Sequence, residues 1–215
     1  AGHEVLFLDG IAAEMSEEEF ERQLCDFKPE LLVLETKTPV VKRHWRWINK
    51  FAESLKCNVK FVLVGDHVTA LPQESFDNCR VDYILTGGDW DFLLKNIVDV
   101  GFDAAKFEAG IWYRENGEVK NTGAFKLDHN LNDAPWIDRD LVNWKLYAKK
   151  NGNFRRTPGT YIMSGRDCWH AKCTFCSWTT LYPKYRTRDP IDVVNEIENL
   201  VEKYGVKEVM DDSGS

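Results

Sequence analysis

The sequence predicts an α/β fold in which a Rossmann-like domain precedes the start of a partial (β/α) barrel. Short apolar runs alternate with amphipathic helical stretches over residues 5–104, and the order strand, helix, strand returns over residues 159–215. Such alternation requires parallel strands joined by right-handed crossovers. We therefore expect a first domain at residues 1–104, a connector at 105–158 and the first βαβ unit of a barrel at 159–215.

Composition indicates the class of protein. The chain has 215 residues, 43% of them hydrophobic, which is enough to bury one or two ordinary cores. No apolar run approaches about eighteen residues and no secretion leader is visible, so we expect no membrane span. The net charge of -7 gives no general attraction to polyphosphate, and nucleic acid is not an expected partner. The six cysteines do not resemble the disulfide framework of a small secreted domain, which favours a reducing cytoplasm.

Four apolar runs in the first domain predict buried strands, at residues 5–8, 31–34, 59–64 and 81–85. The stretches between them have helical periodicity. Ser16 followed by Glu19 is a capping box that begins the first helix. Val41, Trp45 and Ile48 form the apolar stripe of the second helix.

The carboxyl ends of these strands are the candidate binding crevice, because ligands of open parallel sheets bind there. Glycines follow the third and fourth predicted strands, where they let a bulky ligand approach the backbone closely. The alternative is that they only permit tight turns. His67 has a similar alternative, as a surface or hydrogen-bonding histidine. The candidate crevice residues are Thr36, Thr38, Gly65, Asp66, His67, Gly87 and Gly88.

The alternation fades in the connector. Residues 111–114 and 119–121 are typical of hairpin strands on either side of a turn. A short helix through Trp144 and Tyr147 follows, and we expect its aromatic side chains to pack between domains. We assign the connector no chemistry.

The last segment begins with a predicted strand at residues 160–163 and ends with another at 206–210. Asp189 as N-cap and Pro190 as first residue begin the helix between them, and Gly205 ends it. The active residues of a parallel barrel lie at the carboxyl ends of its strands. The predicted buried stripe of the helix is Ile191, Val194, Ile197, Val201 and Tyr204.

Three cysteines, Cys168, Cys173 and Cys176, lie within nine residues just after the first of these strands. Three thiolates can hold three irons of a four-iron, four-sulfur cluster and leave the fourth iron open to an external ligand. The alternative is a zinc site, formed with His170 or with a fourth ligand from elsewhere. An iron cluster would absorb visible light by charge transfer, whereas zinc would not.

The sequence resembles cobalamin-dependent radical S-adenosylmethionine enzymes in two regions. Residues 2–5, 27–36 and 64–72 are similar to the cobalamin-binding domain of that family, and residues 165–178 and 185–188 are similar to its cluster loop. The loop has four residues, instead of the usual three, between its first two cysteines. Since the family's domain begins with one more strand, we expect a front truncation here and a natural protein that continues beyond Ser215.

The resemblance implies that the three cysteines bind a 4Fe–4S cluster whose open iron binds S-adenosylmethionine. It implies that Phe175 packs beside the adenine and that residues 211–214 hold the methionine amino group. Arg186 and Arg188 are candidates to hold a carboxylate or phosphate, with a solvated rim as the alternative. The candidate S-adenosylmethionine contacts are Phe175, Arg186, Arg188, Asp211, Asp212, Ser213 and Gly214, and the crevice residues of the first domain become candidate cobalamin contacts.

The activity implied by the resemblance is reductive cleavage of S-adenosylmethionine to start radical chemistry. In the family this commonly leads to methyl transfer from cobalamin to an unactivated carbon or phosphorus. The implied partners are a small-molecule or lipid substrate and an external one-electron reductant of the flavodoxin or ferredoxin type. Radical rearrangement or cyclisation is an alternative, as is a non-catalytic cobalamin- or zinc-binding module. Since only two barrel strands are predicted, we do not expect residues 1–215 to run the reaction alone.

Overall fold

The computed structural model describes residues 2–54, 59–150, 153–166 and 168–213. The helices are α1 (Glu17–Phe27), α2 (Val41–Ser54), α3 (Asp66–Ala70), α4 (Pro72–Asn78), α5 (Trp90–Asp99), α6 (Trp144–Lys150), α7 (Trp178–Leu181) and α8 (Pro190–Tyr204). The strands are β1 (Leu31–Glu35), β2 (Lys60–Val64), β3 (Tyr83–Leu85), β4 (Ile111–Glu115), β5 (Glu118–Asn121), β6 (Gly159–Ile162), β7 (Gly165–Arg166), β8 (Arg186–Thr187) and β9 (Glu208–Asp211). None of the described helices is long and apolar enough to cross a membrane.

The chain divides into two compact units. The sheet unit comprises residues 29–129 and 167–185, and the paired-strand unit comprises residues 1–28, 130–166 and 186–215. The segment that carries the three cysteines therefore belongs to the sheet unit. The domain boundaries near residues 104 and 158 stay predictions.

The sheet unit contains a mixed sheet with the strand order β1-β2-β3-β4-β5. β1, β2 and β3 are parallel, as their alternation with helices predicts. β2 is the middle one of these three parallel strands. Its residues Val62, Leu63 and Val64 are completely buried, as expected for a strand that is covered on both faces. The predicted apolar stripe of α2 is buried as well, since Val41 and Ile48 are 2% and 0% exposed.

The hairpin predicted in the connector is present, but it belongs to this sheet. β4 pairs antiparallel with β3 as well as with β5. The turn between β4 and β5 holds Asn116 and Gly117, both with positive φ, which suits the twist of a two-residue hairpin. The hairpin therefore closes one side of the parallel core with two antiparallel strands.

The paired-strand unit contains the predicted βαβ unit. β6 and β9 are parallel neighbours, and α8 connects them. Asp189 caps α8 by accepting a hydrogen bond from the Ile191 amide, and Gly205 ends the helix with a positive φ. A βαβ unit of this kind is the repeating element of a (β/α) barrel, and the barrel itself stays a prediction.

Two local predictions are wrong. Residues 5–8 form no strand, and the Val5 and Phe7 side chains are 63% and 56% exposed. An apolar run becomes a buried strand only where a neighbouring strand and covering helices are available, and sequence alone does not reveal that.

The predicted buried stripe of α8 is the second error, because Ile191, Val194 and Val201 are exposed. The core-facing residues are Val193, Ile197, Leu200 and Tyr204, of which only Ile197 and Tyr204 were in the prediction. α8 has two apolar faces, and periodicity does not choose between them.

A buried carboxylate lies between two arginines of the paired-strand unit. Glu196 is only 2% exposed. Its carboxylate accepts a hydrogen bond of 2.6 Å from Arg188 Nη1 and lies 3.8 Å from Arg139 Nη1. Arg139 also donates to the Thr160 hydroxyl and to the Tyr161 carbonyl, so these charges connect α8 to β6.

The sheet unit contains a second charge cluster, centred on His129. Its Nδ1 lies 3.1 Å from buried Asp89 and its Nε2 lies 2.8 Å from Glu108, while the ring stacks on Phe92. Burial by itself would lower the pKa of His129, but the hydrogen bonds to Glu108 and Asp89 outweigh burial and raise the pKa.

We predict that Glu196→Ala lowers the free energy of unfolding by about 3–5 kcal/mol, because Arg139 loses its carboxylate neighbour inside the protein and Arg188 keeps Asp192 as its carboxylate partner. Urea titration measures the change. Glu198→Ala, which removes an exposed carboxylate from the same helix, is the matched control and should change stability by less than about 0.5 kcal/mol. A loss below about 1 kcal/mol in Glu196→Ala would contradict the prediction.

We also predict that His129 stabilises the fold in its protonated form. Because its folded pKa is raised, its contribution is fully present below the unfolded pKa of about 6.5 and is lost as pH rises through the folded pKa. Urea titrations from about pH 5.5 to 8.5 should show that the stability difference between wild type and His129→Gln shrinks with rising pH. A difference that is independent of pH would be inconsistent with the ion pairs.

Candidate functional site

The predicted crevice residues of the sheet unit follow three neighbouring parallel strands. Thr36 and Thr38 follow β1, residues 65–67 follow β2, and residues 86–88 follow β3. Because parallel strands end at one edge of the sheet, their loops meet there. Residues from all three loops, Lys37, Gly65 and Gly88, line one cavity at this edge.

Gly65 is required by a close backbone approach. Its φ is +115°, and a Cβ at this position would lie 2.4 Å from the Thr36 carbonyl oxygen. Thr36 in turn donates its amide to the Val64 carbonyl at 2.8 Å. The glycine therefore allows the loop after β1 to lie directly on the loop after β2.

Gly87 and Gly88 also allow close approach, but the groups that approach them belong to the chain itself. A Cβ on Gly87 would lie 2.4 Å from the Phe125 ring, and one on Gly88 would lie 1.6 Å from the Tyr182 ring. Gly88 donates its amide to the Leu181 carbonyl at 3.1 Å. Nothing in the sequence pattern indicated that Tyr182 lies against Gly88.

Two cavities open at this edge of the sheet. The larger, of about 260 Å3, lies between Lys37, Gly65 and Gly88 on one side and Trp178 and Tyr182 on the other. The smaller, of about 180 Å3, is lined by Thr38, Asp66, His67, Ala70, Leu71, Ser177 and Thr180. Pockets for whole ligands commonly measure about 300–1,000 Å3, so each cavity is smaller than a typical site for a whole ligand.

His67 is held by a carboxylate that the sequence analysis did not identify. Its ring is 6% exposed, its Nε2 lies 3.1 Å from Glu74 Oε2 on α4, and its Nδ1 lies 3.2 Å from the Thr38 hydroxyl. The edge of the ring meets Trp45 at 5.9 Å between centroids. His67 is therefore a buried, hydrogen-bonded histidine. Its second hydrogen bond joins it to Thr38, which lines the smaller cavity. A cofactor contact of His67 stays a prediction.

Thr36 carries a polar atom that needs a partner. The side chain is completely buried, and its hydroxyl has no hydrogen-bond partner among the described residues. A buried hydroxyl without a partner is costly. Thr36 lines neither of the two cavities, and its contact with a cofactor stays a prediction.

The cysteine loop precedes α7 in the sheet unit. Cys168, Cys173 and Cys176 are free thiols of intermediate exposure, and Phe175 is 90% exposed. The Cys176 amide donates to the Cys173 carbonyl at 3.3 Å, so the last two cysteines lie on one turn.

The type and number of these thiols fit a cluster with three protein ligands. Within the described part of the chain, however, no three His, Cys, Asp or Glu side chains lie close enough together to hold a metal ion. The structure therefore contains the donors without a converged site. The ligand set stays a prediction, and so does the zinc alternative with His170.

The acidic segment of the paired-strand unit is organised by Asp211. Its carboxylate accepts hydrogen bonds from the amide and hydroxyl of Ser164 and from the amide of Ser213. Burial by itself would raise the pKa of Asp211, but these hydrogen bonds outweigh burial and lower the pKa. Asp212 is exposed, Ser213 is buried, and Gly214 lies outside the described residues. Asp211 thus connects the ends of β6 and β9.

The two candidate arginines differ. Arg188 donates to Asp192, to Glu196 and to the Met163 carbonyl, so its guanidinium already has three partners within the paired-strand unit. Arg186 lies in β8, paired with Arg166 of β7. A ligand would have to compete with the ion pairs of Arg188, whose role in binding stays a prediction.

Comparisons with known proteins add the family context. No family model matches the chain. An uncharacterized methyltransferase from Pyrococcus horikoshii is 26% identical over 210 residues, which cover 96% of this chain and 44% of that protein. An anaerobic magnesium-protoporphyrin IX monomethyl ester cyclase from Rubrivivax gelatinosus is 28% identical over 211 residues, which cover 94% of this chain and 37% of that protein. The chain thus spans less than half the length of these relatives.

Two solved structures share the fold. The radical S-adenosylmethionine methyltransferase TsrM from Kitasatospora setae, solved with cobalamin and a 4Fe–4S cluster bound, matches with a TM-score of 0.69 at 17% identity, over 98% of this chain and 43% of TsrM. The cobalamin-dependent S-adenosylmethionine radical enzyme OxsB, with aqua-cobalamin bound, matches with a TM-score of 0.67 at 15% identity, over 91% of this chain and 27% of OxsB. The resemblance of this chain to the cobalamin-dependent radical S-adenosylmethionine enzymes, which its sequence motifs indicate, is confirmed.

Proposed function

We propose that this chain is the cobalamin-binding and cluster-binding part of a cobalamin-dependent radical S-adenosylmethionine enzyme. The observation that carries the proposal is the combination of three free thiols within nine residues and a parallel-sheet edge with two small cavities. The sequence relatives and the solved structures support the same family. The proposed cofactors are a 4Fe–4S cluster, S-adenosylmethionine and cobalamin.

The proposed roles of the residues follow from their chemistry. Cys168, Cys173 and Cys176 would hold the cluster, which when bound supplies the electron that cleaves S-adenosylmethionine. Asp212 presents an exposed carboxylate, which suits the methionine amino group. Phe175 presents an exposed aromatic face, which suits the adenine.

Asp211 and Arg188 have a different proposed role, because their charged groups are already engaged within the protein. Asp211 positions residues 212 and 213 through its bonds to Ser164 and Ser213. Arg188 orients α8 beside β6 through Glu196 and the Met163 carbonyl. Among the charged candidates, Asp212 is therefore the preferred contact of the ligand, and Arg186 stays a candidate from its place in the motif.

Methyl transfer to a small molecule or lipid is the proposed outcome, because methyltransferases occur among both the sequence relatives and the structural neighbours. Radical cyclisation is the second candidate, since two of the sequence relatives are named as cyclases. A one-electron reductant of the flavodoxin or ferredoxin type is the proposed protein partner. Product analysis with methyl-labelled S-adenosylmethionine distinguishes the two candidates, because only methyl transfer places the label in the product.

We predict that anaerobic reconstitution with iron and sulfide gives a brown protein with about four irons per chain, and that adding S-adenosylmethionine changes its spectrum. Cys173→Ala should lose most of the iron and of the visible absorption, because only two of the three thiolates remain. Cys25→Ala removes an exposed thiol outside the loop and is the matched control. A colourless protein that binds zinc through the same cysteines would contradict the prediction, as would a cluster that does not respond to S-adenosylmethionine.

A further inference from the structure

Thr38, His67 and Glu74 form a hydrogen-bonded chain that ends at the smaller cavity. Glu74 Oε2 lies 3.1 Å from His67 Nε2, and His67 Nδ1 lies 3.2 Å from the Thr38 hydroxyl. Thr38 and His67 both line the cavity. Trp45 contacts the edge of the imidazole, so the ring is held on three sides.

One tautomer of His67 satisfies both of its hydrogen bonds. A carboxylate accepts hydrogen bonds, so in this tautomer the imidazole carries its proton on Nε2 and donates it to Glu74. Its Nδ1 is then an acceptor, and the Thr38 hydroxyl must donate to it. The hydroxyl proton is thereby committed, and Thr38 offers only oxygen lone pairs to the cavity.

The remaining lining of the cavity is mixed. Ala70 and Leu71 contribute apolar surface, Asp66 contributes an acceptor with negative charge, and Ser177 and Thr180 contribute hydroxyl groups. A volume of about 180 Å3 holds an amide-bearing arm and not a macrocycle. A primary carboxamide presents N–H donors without charge, whereas a carboxylate presents only acceptors.

We propose that Thr38 is a specificity-determining residue that accepts a hydrogen bond from a peripheral carboxamide of cobalamin, and that His67 and Glu74 are positioning residues that keep it an acceptor. This inference rests on the proposed function, because it takes the cobalamin of that function as its ligand. It adds a preference for a carboxamide over a carboxylate at Thr38 to the proposed cobalamin site.

Equilibrium binding of cobalamin and of its monocarboxylic acids, each with one carboxamide hydrolysed, tests the proposal. The full chain is titrated at about pH 8, above the ordinary pKa of a free imidazole side chain. Absorbance or fluorescence quenching reports the dissociation constants. Wild type should bind at least one of the acids about five- to tenfold more weakly than cobalamin. The acid loses the hydrogen bond to Thr38, and its carboxylate oxygens lie against the lone pairs of the Thr38 hydroxyl oxygen.

Variants separate specificity from general damage to the fold. Thr38→Val keeps the shape of an exposed side chain but removes the hydroxyl, and the ratio between acid and amide should fall toward one. Thr38→Ser restores the hydroxyl and should restore the ratio. Glu74→Ala frees His67 to change tautomer, so the ratio should fall to an intermediate value.

The outcomes are distinct. If wild type binds cobalamin but discriminates against none of the acids, or if Thr38→Val discriminates as strongly as wild type, the inference is overturned while the proposed function stands. An unchanged ratio in Glu74→Ala would overturn the positioning role of Glu74. Failure of wild type to bind cobalamin at all would overturn both the inference and the proposed cobalamin site.

Discussion

Parallel hydrogen bonding of β1, β2 and β3 is the constraint on which the candidate crevice depends. It makes three loops that are far apart in sequence leave the sheet at one edge. The loops then pack on one another through Gly65, whose missing side chain leaves room for the Thr36 carbonyl. The contact between Thr38 and His67 is a consequence of the same arrangement, since the two residues follow neighbouring strands.

Charge compensation inside each unit decides which charged residues remain available for ligands. In the paired-strand unit, Glu196 engages Arg188 and lies near Arg139. In the sheet unit, His129 lies between Asp89 and Glu108. Sequence motifs cannot distinguish an arginine that orients a helix from one that binds a ligand, because both uses require the same residue type. Arg188 contributes to structure through these partners. Its position in the sequence shortly after the cluster loop did not predict that contribution.

The cysteine loop shows a similar division between chemistry and placement. Its three thiols were recognisable from spacing, because few other patterns place three cysteines within nine residues. The packing of the segment that follows was not recognisable. The Tyr182 ring lies against Gly88, and the Leu181 carbonyl accepts a hydrogen bond from the Gly88 amide. The end of α7 therefore packs on the glycine pair at which the sequence predicts room for a ligand. The glycines do permit a close approach, and their contact with a ligand stays a prediction.

The sequence by itself determined the three parallel strands of the sheet, the capped ends of α8 and the grouping of three thiols in one loop, because periodicity, capping residues and thiol spacing are local properties. Tertiary structure decided the rest. It left residues 5–8 without a partner strand, selected Leu200 over Val201 as the buried face of α8, and paired the hairpin with β3. It also brought Glu74 to His67, and each of these outcomes depends on which surfaces meet, which no local pattern contains.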